Sequence, residues 1–145
     1  MLKNKKIVIT GGAGFIGSNL SRSLFLDNEV VVIDNLLIGR YENISDIADH
    51  IRFVRSDIND LDMLKKEFEC ADYILHQAAL ASVPGSVDDP ISANRNNVDG
   101  TLKVLIAARD CEAKRVIFAS SSAIYGDASE MPLRETTPPK PLSPY

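Results

Sequence analysis

Short apolar runs alternate with helically spaced apolar positions along most of the chain. The runs predict five strands, at 6–10, 29–33, 51–54, 73–76 and 115–119. The helical spacing predicts helices over 15–26, 60–68 (with Asp60 as its N-cap) and 90–109. In the last of these, Val98, Leu102, Leu105 and Ile106 form the apolar stripe. Residues 36–50 show no clear period and are expected to be irregular, and the proline-rich chain after Gly126 is expected to be an extended loop.

Continuous apolar strands separated by helices are typical of a parallel sheet that is covered on both faces. With right-handed crossovers, this alternation predicts a doubly wound α/β fold of three layers, helix–sheet–helix. The 145 residues are enough for one such domain, and we expect it to occupy 1–145.

Composition excludes several classes of function. The net charge of −4 argues against a surface for nucleic acid or for an anionic membrane. No apolar run approaches the roughly 18 residues that a membrane span needs. Cys70 and Cys111 are far apart, and no histidines cluster, so we expect no metal site and two idle thiols in a reducing, cytoplasmic location.

A glycine-rich turn stands between the first strand and the first helix. Gly11 would allow the tight turn, Gly14 the approach of the backbone to a pyrophosphate, and Gly17 the close packing of helix on strand. The helix N-terminus would then offer free N–H groups to the phosphates. The spacing is Gly-x-x-Gly-x-x-Gly, because Gly12 adds a residue to the turn. A turn without a ligand is the alternative interpretation.

Asp34 follows the second strand, where a carboxylate can accept hydrogen bonds from the hydroxyls of an adenosine ribose. The same charge would repel a 2′-phosphate, which favours NAD over NADP. Arg40 lies nearby in the sequence and could receive a phosphate, so both cofactors stay open on this evidence. The alternative for Asp34 is an ordinary turn residue.

Two further strand ends carry candidate residues. Asp57 could bind the adenine amino group while Ile58 packs on the ring, although Asp57 taken alone reads as a turn or cap residue. At the end of the fourth strand, Ala78 and Ala79 would let a ligand lie close to the backbone. His76 in the same motif is interpreted as structural rather than catalytic.

Taken together, the motifs resemble those of the extended short-chain dehydrogenase/reductase superfamily, and within it the NAD-dependent epimerase/dehydratase family. The similarity is strongest to UDP-glucose and UDP-N-acetylglucosamine 4-epimerases and covers essentially the whole chain. The motifs that carry it are 10–17, Asp34-Asn35-Leu36, Ser56-Asp57-Ile58, His76-Gln77-Ala78-Ala79, 97–101, 120–126 and Ser143-Pro144-Tyr145.

The resemblance implies a Rossmann-type NAD-binding domain. The positions that match cofactor-binding residues are Gly11, Gly14, Phe15, Ile16, Gly17, Asp34, Asn35, Asp57, Ile58, Gln77, Ala78, Ala79 and Asn97. Asn97 would stabilise the strand ends near the cofactor, and Ser82 and Ser122 match positions near the substrate.

The resemblance also implies catalytic roles for Ser121 and Tyr145. Both would hydrogen-bond the 4-hydroxyl of the sugar, and Tyr145 would act as the base. Ser120 and Ser122 are alternatives to Ser121, and Tyr125 is interpreted as structural. A phenol with a pKa near 10 works as a base at neutral pH only with a cation beside it. In the family a Lys four residues after the Tyr provides that cation.

The residues after the fifth predicted strand favour epimerisation over the dehydration and decarboxylation that related enzymes catalyse. The 4,6-dehydratases carry an Asp-Glu pair before the Val-Tyr-Gly of this strand, and the decarboxylases keep the Glu. Ser122 and Ala123 occupy those positions here. The remaining alternatives are another nucleotide-sugar dehydratase or reductase, and a non-catalytic NAD-binding module.

Tyr145 is the last residue of the sequence, so the family's Lys is not part of it. We therefore expect a truncated gene or an isolated domain that lacks the C-terminal sugar-binding lobe. Such a polypeptide should keep the adenosine half of the NAD site and show little or no turnover. A UDP-sugar substrate and a homodimer are expected of the complete protein, without nucleic-acid or membrane partners.

Overall fold

A computed structural model describes residues 2–129 and 131–145. Its centre is a parallel sheet of five strands in the order β3-β2-β1-β4-β5. The strands are β1 (Lys6–Thr10), β2 (Glu29–Asp34), β3 (Arg52–Arg55), β4 (Tyr73–His76) and β5 (Arg115–Phe118). In the middle of the sheet, Val8 of β1 lies opposite Val31 of β2 and Ile74 of β4.

Helices cover both faces of the sheet. They are α1 (Phe15–Leu24), α2 (Leu61–Phe68), α3 (Val83–Asp88), α4 (Pro90–Asn94) and α5 (Gly100–Asp110). A π-helical turn, Arg95–Asp99, joins α4 to α5. Short 3-10 helices occur at Tyr41–Asn43, Ser45–His50 and Ser122–Tyr125. None of the helices in residues 2–129 and 131–145 combines the length and apolarity needed to cross a membrane.

Alternation along β1 divides the core into two layers, because successive side chains of a strand point to opposite faces. Val8 packs with Leu64 and Phe68 of α2 and Val104 of α5. On the other face, Ile7 and Ile9 pack with Ile44 and Ile47 and with partly buried residues of α1. Residues 41–50 are therefore more ordered than expected, because Ile44 and Ile47 belong to the core.

The predicted fold is confirmed. Each expected strand is present, and its ends differ from the prediction by two residues or fewer. The N-cap of α2 is Asp60, whose side chain accepts from the Met63 N–H at 3.0 Å. The predicted helix over 90–109 is continuous from Pro90 to Asp110 but passes through the π turn.

One expectation about a helix is wrong. Most of the predicted stripe faces outward, since Val98, Leu102 and Leu105 are 56%, 55% and 47% exposed, while Ile106 is partly buried. The buried face of α5 carries Val104, Ala107 and Ala108 instead. Val104 and Ala107 are fully buried in the core with residues of α2 and the sheet.

Helix α3 is an element that the sequence pattern did not predict. It has only six residues, and Pro84 occupies its first turn. The Ser82 hydroxyl caps it by accepting from the Gly85 N–H at 3.1 Å.

Candidate dinucleotide-binding site

An open cleft lies where β1, β2 and β4 end. It has an empty volume of about 620 Å³. The chain crosses from one side of β1 to the other at this point, which is where doubly wound sheets bind ligands. Eight of the predicted cofactor residues line the cleft: Gly11, Gly14, Asp34, Asn35, Ile58, Gln77, Ala78 and Ala79.

The glycine turn forms the floor of the cleft. Gly11 has a φ of +69°, and a Cβ there would lie 2.6 Å from the Ala78 nitrogen. A Cβ on Gly17 would lie 2.6 Å from the Gly12 Cα, so α1 packs directly on the turn. Gly14 caps α1 without any side-chain hydrogen bond, and the first turn of α1 has no acidic residue. The free N–H groups and the close backbone approach fit a pyrophosphate group.

Asp34 is held rigidly at the cleft. Its carboxylate accepts from the Ala13 N–H at 3.0 Å and from the Leu36 N–H at 2.9 Å. The residue is 8% exposed, and a Cβ on Gly39 would lie 2.8 Å from its Oδ2. Each oxygen keeps further acceptor capacity, because a carboxylate has about four lone-pair sites. Asp34 therefore fits the hydroxyls of a ribose.

Asp57 supports the cleft from a neighbouring strand end and does not line it. Its Oδ2 accepts from Asn35 Nδ2 at 2.9 Å, and its Oδ1 accepts from the Asn59 N–H at 2.8 Å. Burial acts to raise the pKa of Asp57, but these hydrogen bonds outweigh it and hold the pKa below its usual value. Asp57 is thus an anion that orients Asn35, while Ile58 reaches the cleft.

The wall opposite Asp34 consists of residues 77–80. Asn97, in the π turn, binds Leu80 twice: its Oδ1 accepts from the Leu80 N–H at 2.8 Å, and its Nδ2 donates to the Leu80 carbonyl at 3.2 Å. Asn97 itself does not line the cleft. Its two hydrogen bonds hold the wall in place at Leu80.

Phe15 and Ile16 do not line the cleft either. They lie in the first turn of α1, and their side chains are 84% and 59% exposed. Any contact of theirs with a phosphate would come from their backbone N–H groups, since the side chains point to solvent.

The predicted catalytic and substrate residues lie outside the cleft. Ser121 follows β5, and its Oγ accepts from the Ala123 N–H at 3.2 Å. Ser122 beside it is exposed. The Tyr145 N–H donates to Oγ of Ser86, a buried residue of α3, at 3.0 Å. α3 thus connects Tyr145 with Ser82 at its other end.

Sequence reasoning missed seven residues that line the cleft: Ile33, Leu37, Ile38, Gly39, Ser56, Leu80 and Asn96. Leu37 and Ile38 could have been found from the sequence, because they are adjacent apolar residues close to Asp34 and Asn35. In the structure they are 66% and 67% exposed. In the described ranges, no three His, Cys, Asp or Glu side chains form a metal-binding group, and both cysteines are free thiols.

The model of the NAD dependent epimerase/dehydratase family matches residues 7–145. The chain belongs to this family. The UDP-glucose 4-epimerase of Lacticaseibacillus casei is 38% identical over 142 residues, which are 96% of this chain and 42% of that protein. The predicted cofactor, NAD, is confirmed by the family's dependence on it.

Two solved members of the family have the same fold. The UDP-N-acetylglucosamine 4-epimerase from Methanobrevibacter ruminantium, in complex with UDP-N-acetylmuramic acid, superposes with a TM-score of 0.94 and 46% identity over 99% of this chain and 46% of its own. The dTDP-glucose 4,6-dehydratase from Streptomyces venezuelae, with NAD bound, superposes with a TM-score of 0.91 and is 35% identical, over 97% of this chain and 47% of its own. The chain spans a little under half the length of each of these relatives.

Proposed function

We propose that residues 1–145 are the NAD-binding domain of a nucleotide-sugar 4-epimerase that acts on a UDP-hexose or a UDP-N-acetylhexosamine. The dinucleotide cleft supports the cofactor part of this proposal. The residues that follow β5 favour epimerisation over dehydration, because Ser121 and Ser122 stand there and neither is a carboxylate. Two of the relatives named above, the UDP-glucose 4-epimerase and the UDP-N-acetylglucosamine 4-epimerase, support a UDP-sugar substrate.

A 4,6-dehydratase is the competing reaction. The Streptomyces venezuelae enzyme superposes on the chain almost as well as the epimerase does, so the fold does not separate them. Dehydration needs a group that moves protons at C5 or C6 of the sugar. Ser122 and Ala123 stand where the dehydratases carry Asp and Glu, and neither provides such a group at neutral pH.

In the proposed reaction, Tyr145 removes the proton of the sugar 4-hydroxyl while Ser121 hydrogen-bonds the same oxygen. When bound, NAD would supply the hydride-transfer chemistry at C4 of the sugar. Asp34 and the glycine turn hold the cofactor, and Ser86 anchors the main chain of Tyr145. A nearby cation must stabilise the phenolate, since a free phenol has a pKa near 10.

The 145 residues contain Tyr145 but not the Lys that follows it in the family. We therefore propose that this polypeptide, taken by itself, binds NAD and turns over a UDP-hexose little or not at all. In the complete protein we propose a homodimer, which would cover Val98 of the π turn and the outward apolar residues Leu102 and Leu105 of α5.

Product analysis on the whole protein that contains this sequence tests the proposal. With UDP-glucose or UDP-N-acetylglucosamine, we expect the C4 epimer by NMR, and at least a hundredfold slower formation in Tyr145→Phe, in line with the loss of a general base. Tyr125→Phe is the matched control and should keep most of the rate. A 4-keto-6-deoxy product would instead identify a dehydratase. NAD binding without any product would identify a binding module.

A further inference from the structure

His76 is a buried histidine for which the proposed reaction has no use. It ends β4 and is 1% exposed. Its Nδ1 lies 2.7 Å from Thr10 Oγ1, and its Nε2 lies 3.0 Å from Thr101 Oγ1. The ring therefore joins the end of β1 to the start of α5, next to the cleft.

The hydrogen-bond partners determine which nitrogen of His76 carries the proton. Thr101 Oγ1 lies 2.7 Å from the Asn97 carbonyl and donates its one proton to it, because a carbonyl can only accept. Towards His76 the Thr101 hydroxyl is thus an acceptor, so Nε2 must be protonated. The bare Nδ1 then accepts the hydroxyl proton of Thr10.

The Thr10 side of this network reaches both sides of the cleft. Thr10 directly precedes Gly11, and its carbonyl accepts from the Gln77 N–H at 3.0 Å. Its hydroxyl oxygen, oriented by His76, accepts a longer bond from the Ala78 N–H at 3.4 Å. The turn and the wall are so close that a Cβ on Gly11 would lie 2.6 Å from the Ala78 nitrogen, so a shift of Thr10 changes the gap between them.

Asn97 connects the other end of the network to the same wall. Its carbonyl orders the Thr101 hydroxyl, and its side chain binds both backbone groups of Leu80. Residues 77–80 are thus held by His76 at one end and by Asn97 at the other.

We propose that His76 is a positioning residue for NAD binding: as its Nε2-protonated tautomer, it keeps the glycine turn and the wall of residues 77–80 at one separation. This role rests on the proposed cofactor function and assigns His76 no contact with the reacting atoms. Thr101 is the residue that selects the tautomer.

Calorimetric titration of the 145-residue chain with NAD⁺ tests the role. His76→Phe keeps a planar ring but loses both hydrogen bonds, and we expect its dissociation constant to rise about tenfold, the equivalent of one or two hydrogen bonds. Thr101→Val removes only the hydroxyl at equal size and should weaken binding by roughly threefold to tenfold. Thr101→Ser restores the hydroxyl and should restore the affinity. The two variants at Thr101 keep the test valid if His76→Phe fails to fold.

Nitrogen-15 NMR of the histidine rings gives a readout that a purely structural role would not move. The wild-type chain should show His76 protonated at Nε2 alone, and Thr101→Val should show a mixture of tautomers. The matched control is His50→Phe, since His50 is exposed, stacks on Phe25 and lies outside the cleft. It should bind NAD⁺ as the wild type does.

The outcomes separate this proposal from the proposed function. If the wild type binds NAD⁺ and folded His76→Phe or Thr101→Val binds it equally well, the positioning role is wrong while the cofactor function stands. A His76 ring protonated at Nδ1 also overturns it. If the wild type binds no NAD⁺ at millimolar concentration, both proposals are wrong.

Discussion

At the scale of single residues, the surroundings of His76 keep its ring neutral, and those of Asp57 keep its carboxylate charged. Burial lowers the pKa of His76 from 6.5 to about 4, so the ring is neutral at pH 7. Burial alone would raise the pKa of Asp57, but hydrogen bonds from Asn59 and Asn35 lower it below its usual value. The cleft is therefore supported by one neutral and one charged group.

The low pKa of His76 predicts a loss of stability in acid. In the unfolded chain His76 takes up a proton near pH 6.5, while the folded chain resists protonation until about pH 4. This contribution is complete above pH 6.5 and falls as the pH drops towards 4. The shift corresponds to roughly 3 kcal/mol. Urea unfolding at a series of pH values measures it.

His76→Gln is the matched variant for this experiment, because glutamine does not titrate. Its stability should stay nearly constant between pH 6.5 and about 5, where the wild type already loses stability. Glu67 and Asp72 also have lowered pKa values, through their hydrogen bonds to Arg52 and Lys114. Their contributions are lost below the ordinary pKa of a carboxyl group, which separates them from that of His76. If the stability of the wild type and of His76→Gln changed with pH in parallel, the loss of stability could not be assigned to His76.

At residue scale, the parts of the site that follow from local rules could be predicted from sequence. Gly11 directly follows β1, where the turn needs glycine, and Asp34 ends β2, where a carboxylate can meet a ribose. Gly39 and Asn96 could not be predicted in this way. They reach the cleft only because the loop after β2 folds over Asp34 and because the chain between α4 and α5 makes a π turn.

At the scale of elements, α5 has two apolar faces, of which one is buried and the other is exposed. Val104 is fully buried between α2 and the sheet, whereas Leu102, two residues earlier, is 55% exposed. Val104→Asp should cost about 3 kcal/mol or more, because it buries an unpaired charge. Leu102→Asp should change stability by no more than about 1 kcal/mol. Equal losses in urea unfolding would mean that the helix packs differently.

The same helix shows why element type was easier to predict than orientation. The five strands are continuous apolar runs, and short runs of this kind are typical of buried parallel strands. In the stretch 98–108, Val98, Leu102 and Leu105 satisfy the helical spacing as well as Val104, Ala107 and Ala108 do. Hydrophobicity favours the first set, but the second set, which contains two alanines, is the one that packs with α2 and the sheet.

At the scale of the whole molecule, one of the exposed apolar patches lies on the outward face of α5, at Leu102 and Leu105. We expect the 145-residue chain to self-associate through it, with a weight-average mass that rises with concentration in sedimentation experiments. Leu102→Glu with Leu105→Glu should keep the chain monomeric. Leu26→Glu adds a charge at an exposed leucine elsewhere and should not change association. Association that persists in the double variant would contradict this surface and point to β5, the apolar edge strand.

The strand order also determines the sequence of events during synthesis on the ribosome. β1 is made first, yet it lies at the centre of the sheet, and one of its two neighbours is β4. Thr10 consequently meets His76 only after 66 further residues have been added. Until then the β1–β2 pair has one open apolar side, which is the kind of edge that chaperones protect. The first of the five strands to be made thus belongs to a part of the nucleotide cleft that is completed late.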